Sequence, residues 1–196
     1  QNPQGGVGCW LEADSHPREY NPARDTQRYY LALPTRNSTM EYAAHAAMLS
    51  RAFQQCGAKD KAALYRDSAA KAFAYATATA NRVVFRWPHY LTDLKKSVEY
   101  TFNEPLTLDQ GMVFKAAFNL FLLTDDQRYM VYLDQKSFNA ALSQIDYPLN
   151  PFFLAEVMLE QDKFYGYATE YKTQVKRQAE SWLRNQEELA YRNLNF

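Results

Sequence analysis

The sequence predicts an all-α fold assembled from helical hairpins. Three observations lead there. Apolar residues recur at helical spacing along several long runs. The breaks between those runs carry glycine, proline or paired acids. No alternation of apolar and polar residues persists long enough to read as a strand. Nor does a fixed-length repeat of the TPR or ankyrin kind occur. Helical hairpins without such a repeat fit an α/α toroid.

The elements follow in order. Residues 1–36 read as loop, because Gly5, Gly6 and Gly8 break regularity and Pro3, Pro17, Pro22 and Pro34 oppose helix. A loop of that length in a compact domain is usually functional or disordered. Ser38 to about Cys56 forms the first helix. Ser38 serves as N-cap with Glu41 three residues on, a capping box. Ala43, Ala44, Ala46, Ala47 and Ala52 fill its interior, which predicts a helix buried among close neighbours. Gly57 stands just past its end, as a C-terminal glycine should.

Lys59 to Thr79 forms a second helix with Ala62, Tyr65, Ala69, Ala70, Phe73 and Ala76 inward, closing an antiparallel hairpin. Residues 80–105 are irregular. Leu106 to Leu123 is a third helix, with Met112, Val113, Ala116, Ala117, Leu120 and Leu123 on its buried positions. Thr124-Asp-Asp126 caps a fourth, Gln127 to Leu142. A short helix through Leu159 and a long one from about Asp162 to Tyr191 complete the chain. The last is expected to turn Tyr165, Ala168, Tyr171, Val175, Ala179, Trp182 and Leu183 inward.

Composition narrows the function. The 22 Lys and Arg balance 22 Asp and Glu, which argues against nucleic acid or an anionic membrane surface as main partner. No uncharged apolar run is long enough to span a bilayer. Gln1 follows no basic-then-apolar leader, so the chain reads as a mature product or an excised piece. The two cysteines, Cys9 and Cys56, have no zinc spacing and are expected to be buried free thiols. Neither a metal site nor a cofactor is expected: no phosphate loop, Ser-His-Asp order or Cys-His nucleophile pattern occurs. Tyrosine and phenylalanine are abundant, at 15 and 12, and suit both helix packing and walls that face sugars.

Several motifs in fixed order resemble glycoside hydrolase family 9, the inverting cellulases and their relatives. Gln1-Asn-Pro-Gln-Gly-Gly6 resembles the family's Gln-Asn-Pro-Asp-Gly-Gly loop. Asp25-Thr-Gln-Arg-Tyr-Tyr30, Asn37-Ser-Thr39, Glu41-Tyr-Ala-Ala44 and Ser50-Arg-Ala-Phe53 resemble its Asp…Arg-Tyr segment, Ser-Thr pair and Ala-Ala helix. Ala69-Ala-Lys-Ala-Phe-Ala-Tyr-Ala76 resembles its second helix. Leu120-Phe-Leu-Leu-Thr-Asp-Asp-Gln-Arg-Tyr129 resembles its Thr-Gly-Asp junction. The resemblance implies part of an (α/α)6 barrel, a single incomplete domain in which 1–36 covers the cleft and 37–196 supplies hairpins. It also implies a secreted or periplasmic parent acting on an oligo- or polysaccharide.

Inverting hydrolysis needs an acid and a base carboxyl roughly 6.5–9.5 Å apart. The family's Asp-Ala-Gly-Asp base motif and its late acid Glu have no counterpart among these 196 residues. No catalytic residue is therefore assigned to this chain. The family's His-Lys after the glycine loop is replaced by Gly8, Cys9 and Trp10. Trp10 is a candidate to stack on a sugar ring in their place, with Asp14, His16 and Arg18 as candidates to bind sugar hydroxyls. His45 is expected to be packed and hydrogen-bonded, and Glu104 and Asp109 to favour a helix dipole. Apolar helix faces left open by an incomplete ring predict a homodimer. A non-catalytic helical-repeat binding module, or another α/α-toroid polysaccharide-degrading enzyme, would present the same hairpins.

Overall fold

The computed structural model describes residues 1–8, 10–13, 29–91 and 96–143, together with 173, 176, 177, 179–181, 183 and 184. The chain divides into two compact units, Gln1–Ala141 and Leu142–Phe196. The first unit is mainly helical, as expected, but carries two small antiparallel ribbons that the sequence reading missed. One pairs β1 (Leu11–Ala13) with β2 (Tyr29–Leu31). The other pairs β3 (Val84–Leu91) with β4 (Lys96–Asn103), setting Phe85 opposite Phe102 and Pro88 opposite Glu99. Pro88 argues against a central strand, yet each strand of a two-stranded ribbon has an open edge where a missing N–H costs nothing.

Helix α1 (Arg36–Gln55) starts two residues before Ser38. Thr35, not Ser38, is its N-cap: the Thr35 Oγ1 accepts the Ser38 N–H at 3.0 Å. The Ser38 hydroxyl instead donates to the Val7 carbonyl at 2.8 Å, tying the N-terminal loop to the helix. The far end closes as a Schellman motif. Ala58 N–H reaches Phe53 O, Gly57 N–H reaches Gln54 O, and Gly57 takes φ 75°. Helix α2 (Lys59–Thr77) then returns antiparallel.

The α1–α2 interface is built from alanine. Ala43, Ala44, Ala46 and Ala47 are buried on α1, and Ala62, Ala69, Ala72 and Ala76 on α2. Three polar links cross it. Arg36 Nε donates to Ala76 O at 2.8 Å, the Tyr42 and Ser68 hydroxyls lie 2.7 Å apart, and Ser50 Oγ donates to Ala62 O at 2.7 Å. Burial of α1 is one-sided, however: Glu41, His45 and Leu49 are exposed.

Helix α3 (Gln110–Thr124) is covered on all sides, with every residue from Gly111 to Phe121 buried. It begins four residues later than Leu106. Asp109 caps it, its Oδ1 accepting the Met112 N–H at 3.1 Å. It ends on Asp125, whose φ of 54° is left-handed, at the position where family 9 carries glycine in Thr-Gly-Asp. The single helix expected over 127–142 is instead a 3₁₀ segment (Gln127–Tyr132) and helix α4 (Gln135–Ser143). Asp126 caps the first through Arg128 N–H, and the Asp134 Oδ1 accepts the Ser137 N–H at 2.7 Å to start the second. Phe73 fixes the 3₁₀ segment to α2, edge-on to Tyr129 at 5.3 Å and Tyr132 at 5.0 Å.

In the second unit, 173, 176, 177, 179–181, 183 and 184 are helical, within the last helix expected. Ala179 and Leu183, expected inward, are exposed. The short helix through Leu159 and the rest of the long one lie outside the described residues.

Candidate functional site

The N-terminal glycine loop is a closed turn pressed on α2. Asn2 bonds Gly6 through both backbone and side chain, with Asn2 N–H to Gly6 O at 2.8 Å and Gly6 N–H to Asn2 Oδ1 at 2.6 Å. A Cβ on Gly5 would stand 2.5 Å from the Lys71 carbonyl oxygen, and Gly5 has φ 108°. A Cβ on Gly6 would meet Pro34 Cβ at 2.7 Å and Tyr75 Cζ at 2.8 Å. Only glycine fits this approach. Val7 N–H then donates to Thr39 Oγ1 at 2.9 Å, and Thr39 is fully buried.

This anchoring delivers Trp10 to the β3–β4 ribbon. The half-buried indole lies 5.7 Å from the Phe85 ring and 5.8 Å, edge-on, from Phe102, and those two rings stack at 5.0 Å. The three rings form one aromatic wall at the base of the ribbon. Trp10 is thus supported by two partners that no local pattern connects to it. Tyr100, exposed, lies one alternation further along β4. Of the other candidate contacts, Asp14, His16 and Arg18 lie outside the described residues.

Below this wall sits a carboxylate. Glu104 is 1% exposed. Its Oε1 accepts the Asn37 N–H at 3.0 Å and its Oε2 the Val83 N–H at 3.1 Å. Its backbone N–H donates to Val83 O at 3.2 Å, and its carbonyl accepts Arg82 Nε at 2.8 Å. Asn37 Oδ1 in turn accepts the Asp109 N–H at 2.9 Å, so α1, the ribbon and α3 are joined in one network. Arg36, also buried, adds Nη1 to Leu106 O at 3.2 Å. The Tyr75 phenol is raised above its ordinary pKa, first by burial and then by the negative charge of Glu104. Glu104 was expected to favour a helix dipole. The helix it serves is α1, 67 residues away, not α3.

A second polar group lies inside the helices. Asn119, fully buried, donates to Lys115 O at 2.9 Å and accepts from Arg51 Nη1 at 2.9 Å. Lys115 is buried too, and that burial lowers its ammonium pKa, opposed by the nearby Asp109 charge. His45, expected packed, is exposed on the open face of α1. Cys56 is a free thiol but exposed, not buried, because it follows the last turn of α1, while Cys9 lies outside the described residues. Among the described residues no cluster of His, Cys, Asp or Glu could hold a metal ion, and no helix is long and apolar enough to cross a membrane.

Residues 2–194 match the family model described as glycosyl hydrolase family 9. The chain belongs to that family. Among solved structures, one titled "Bacteroides ovatus GH9" is 19% identical, with a TM-score of 0.60. The match covers 95% of this chain and 35% of that one, so the chain spans about a third of the length of its structural relative. No curated protein matches. Within a family 9 segment, the glycine loop, the α1–α2 hairpin and α3 occupy the order that the sequence motifs indicated. Phe85 and Phe102, which pack on the candidate Trp10, are the residues that sequence reasoning missed. The signal for Phe85 was the aromatic run Phe85-Arg-Trp-Pro-His-Tyr90, obscured by its proline, and that for Phe102 was its alternation with Tyr100.

Proposed function

We propose that this chain is a central segment of a family 9 catalytic domain that hydrolyses β-linked glucans with inversion. In this reading the acid and base carboxyls come from sequence outside these 196 residues. The observation that carries it is the family match over 2–194, joined to coverage of only 35% of the related structure. The segment contributes a sugar-facing wall rather than the reacting groups. Trp10 stacks on a pyranose ring, its own position fixed by Phe85 and Phe102, and Asp14, His16 and Arg18 supply hydrogen bonds to hydroxyls. A polymeric glucan does not cross membranes, so the parent enzyme acts in a secreted or periplasmic setting. As an isolated polypeptide the segment self-associates through exposed apolar helix faces, which carry Leu49 on α1 and Leu64 on α2.

The test uses the full-length protein and a soluble β-1,4-gluco-oligosaccharide. Proton NMR during the first turnovers should show the α-anomer of the newly formed reducing end, and the 196-residue chain alone should release nothing. Initial β-anomer, or turnover by the segment alone, would overturn the reading. For the isolated segment, light scattering that finds only monomer at high concentration would remove the self-association.

A further inference from the structure

The Glu104–Val83 bond lies just beyond the ends of β3 and β4, two residues from the aromatic wall on either side. Val83, which donates to Glu104 Oε2, precedes Phe85 by two positions, and Glu104 follows Phe102 by two. Two residues of strand advance about 6.8 Å, so the bonds at Glu104 fix both aromatic rings with little slack. The other side of the network is the first turn of α1, itself locked by Thr35, Arg36 and Asn37.

We propose that Glu104 is a positioning residue for the substrate wall: it seats the base of the β3–β4 ribbon on α1, and Phe85 and Phe102 transmit that seat to Trp10. This rests on the sugar-stacking reading of Trp10 given above. The chemistry demands a carboxylate. Both oxygens accept from backbone N–H groups, and the site is closed to water. A carboxamide has one oxygen, so Glu104→Gln would set an NH2 against one of two donors and leave both buried groups unsatisfied. An aspartate is one methylene short and reaches one donor only. The charge also suits the N-terminal turn of α1, where the backbone dipole favours an anion. Arg36 and Arg82 surround the segment through their bonds to the Leu106 and Glu104 carbonyls, and Tyr75 faces it from α2.

The test compares Trp10→Ala, Glu104→Gln and the double variant in the full-length enzyme, on a β-1,4-gluco-oligosaccharide. Trp10→Ala should raise KM about tenfold, and Glu104→Gln about fivefold, with kcat held within about twofold. The double variant should be no worse than Trp10→Ala, because Glu104 acts through the indole. If Trp10→Ala raises KM while Glu104→Gln leaves it unchanged, or if the two effects multiply, the positioning role is wrong and the stacking role stands. If Trp10→Ala itself is silent, both fall. Should Glu104→Gln fail to fold, Glu104→Asp carries the same comparison, with a smaller KM rise that again vanishes in the Trp10→Ala background. An unchanged KM, or one that multiplies, sinks the proposal.

Discussion

Helices α1 and α3 both carry adjacent alanine pairs, Ala43-Ala44 and Ala46-Ala47 on α1 and Ala116-Ala117 on α3, and the structure uses the two helices in opposite ways. Helix α1 buries one stripe against α2 and α3 and shows Glu41, His45 and Leu49 to solvent. Helix α3 has no exposed face between Gly111 and Phe121 and buries even Lys115 and Asn119. The difference lies in side-chain size. Small residues on α1 let α2 approach closely along one face, whereas Phe114, Phe118, Leu120 and Phe121 need volume on every side of α3. Phe114 meets Phe118 at 6.3 Å along its own helix and Phe138 of α4 at 5.4 Å. An alanine stripe marks a contact between helices. An aromatic helix marks the centre they surround.

That contrast can be broken most decisively at Phe118. It is fully buried, so Phe118→Ala should lower unfolding stability in urea by about 4 kcal/mol, whereas Leu49→Ala on the open face of α1 should cost no more than about 0.5 kcal/mol. Equal losses would erase the distinction. On the small-residue face the vulnerable change is enlargement. Ala47→Leu should cost about 2 kcal/mol by forcing α1 from α2, measured the same way.

Lys115 sharpens the comparison further, because the covering of α3 on every side buries a lysine in mid-helix. Burial lowers its folded pKa below the unfolded value. The unfolded chain therefore binds more protons between those two values, and stability rises with pH across that window. Lys115→Met should stabilise the protein by about 1 kcal/mol at neutral pH, and the gain should shrink as the pH approaches the ordinary lysine range. Chemical denaturation at a series of alkaline pH values checks the sign. The smallest effect belongs to the end of α3: Asp125→Gly should add about 0.5 kcal/mol by relieving a left-handed side-chain residue, read as a rise in Tm.

The helical hairpin was legible because alanine spacing on α1 and α2 is a local signal, and Gly57 marked the turn correctly. The start of α1 was misplaced because Thr35 and Ser38 are both good caps, and only the Val7 carbonyl decides which hydroxyl is free to cap. The ribbon was hidden by Pro88, whose cost depends on having a neighbour on both edges. At the candidate site, Trp10 stood out in the sequence because it falls where the resembling family carries His-Lys after the glycine loop. Its support by Phe85 and Phe102, and the reach of Glu104 to Asn37, are matters of three-dimensional closure that adjacent residues do not record.

One of the three polar links between α1 and α2 has a further effect. An alanine surface is nearly smooth, and two smooth rods could slide past each other by one turn, about 5.4 Å, at small loss of contact. A one-turn slide would offer Arg36 and Ser50 other backbone carbonyls, but it would set Tyr42 against Leu64 or Ala72, whose side chains cannot bond it, so the Tyr42 and Ser68 hydroxyls hold the register. Like the teeth of a key, they give the pair a single stop, and every loop hung from the two helices inherits that alignment.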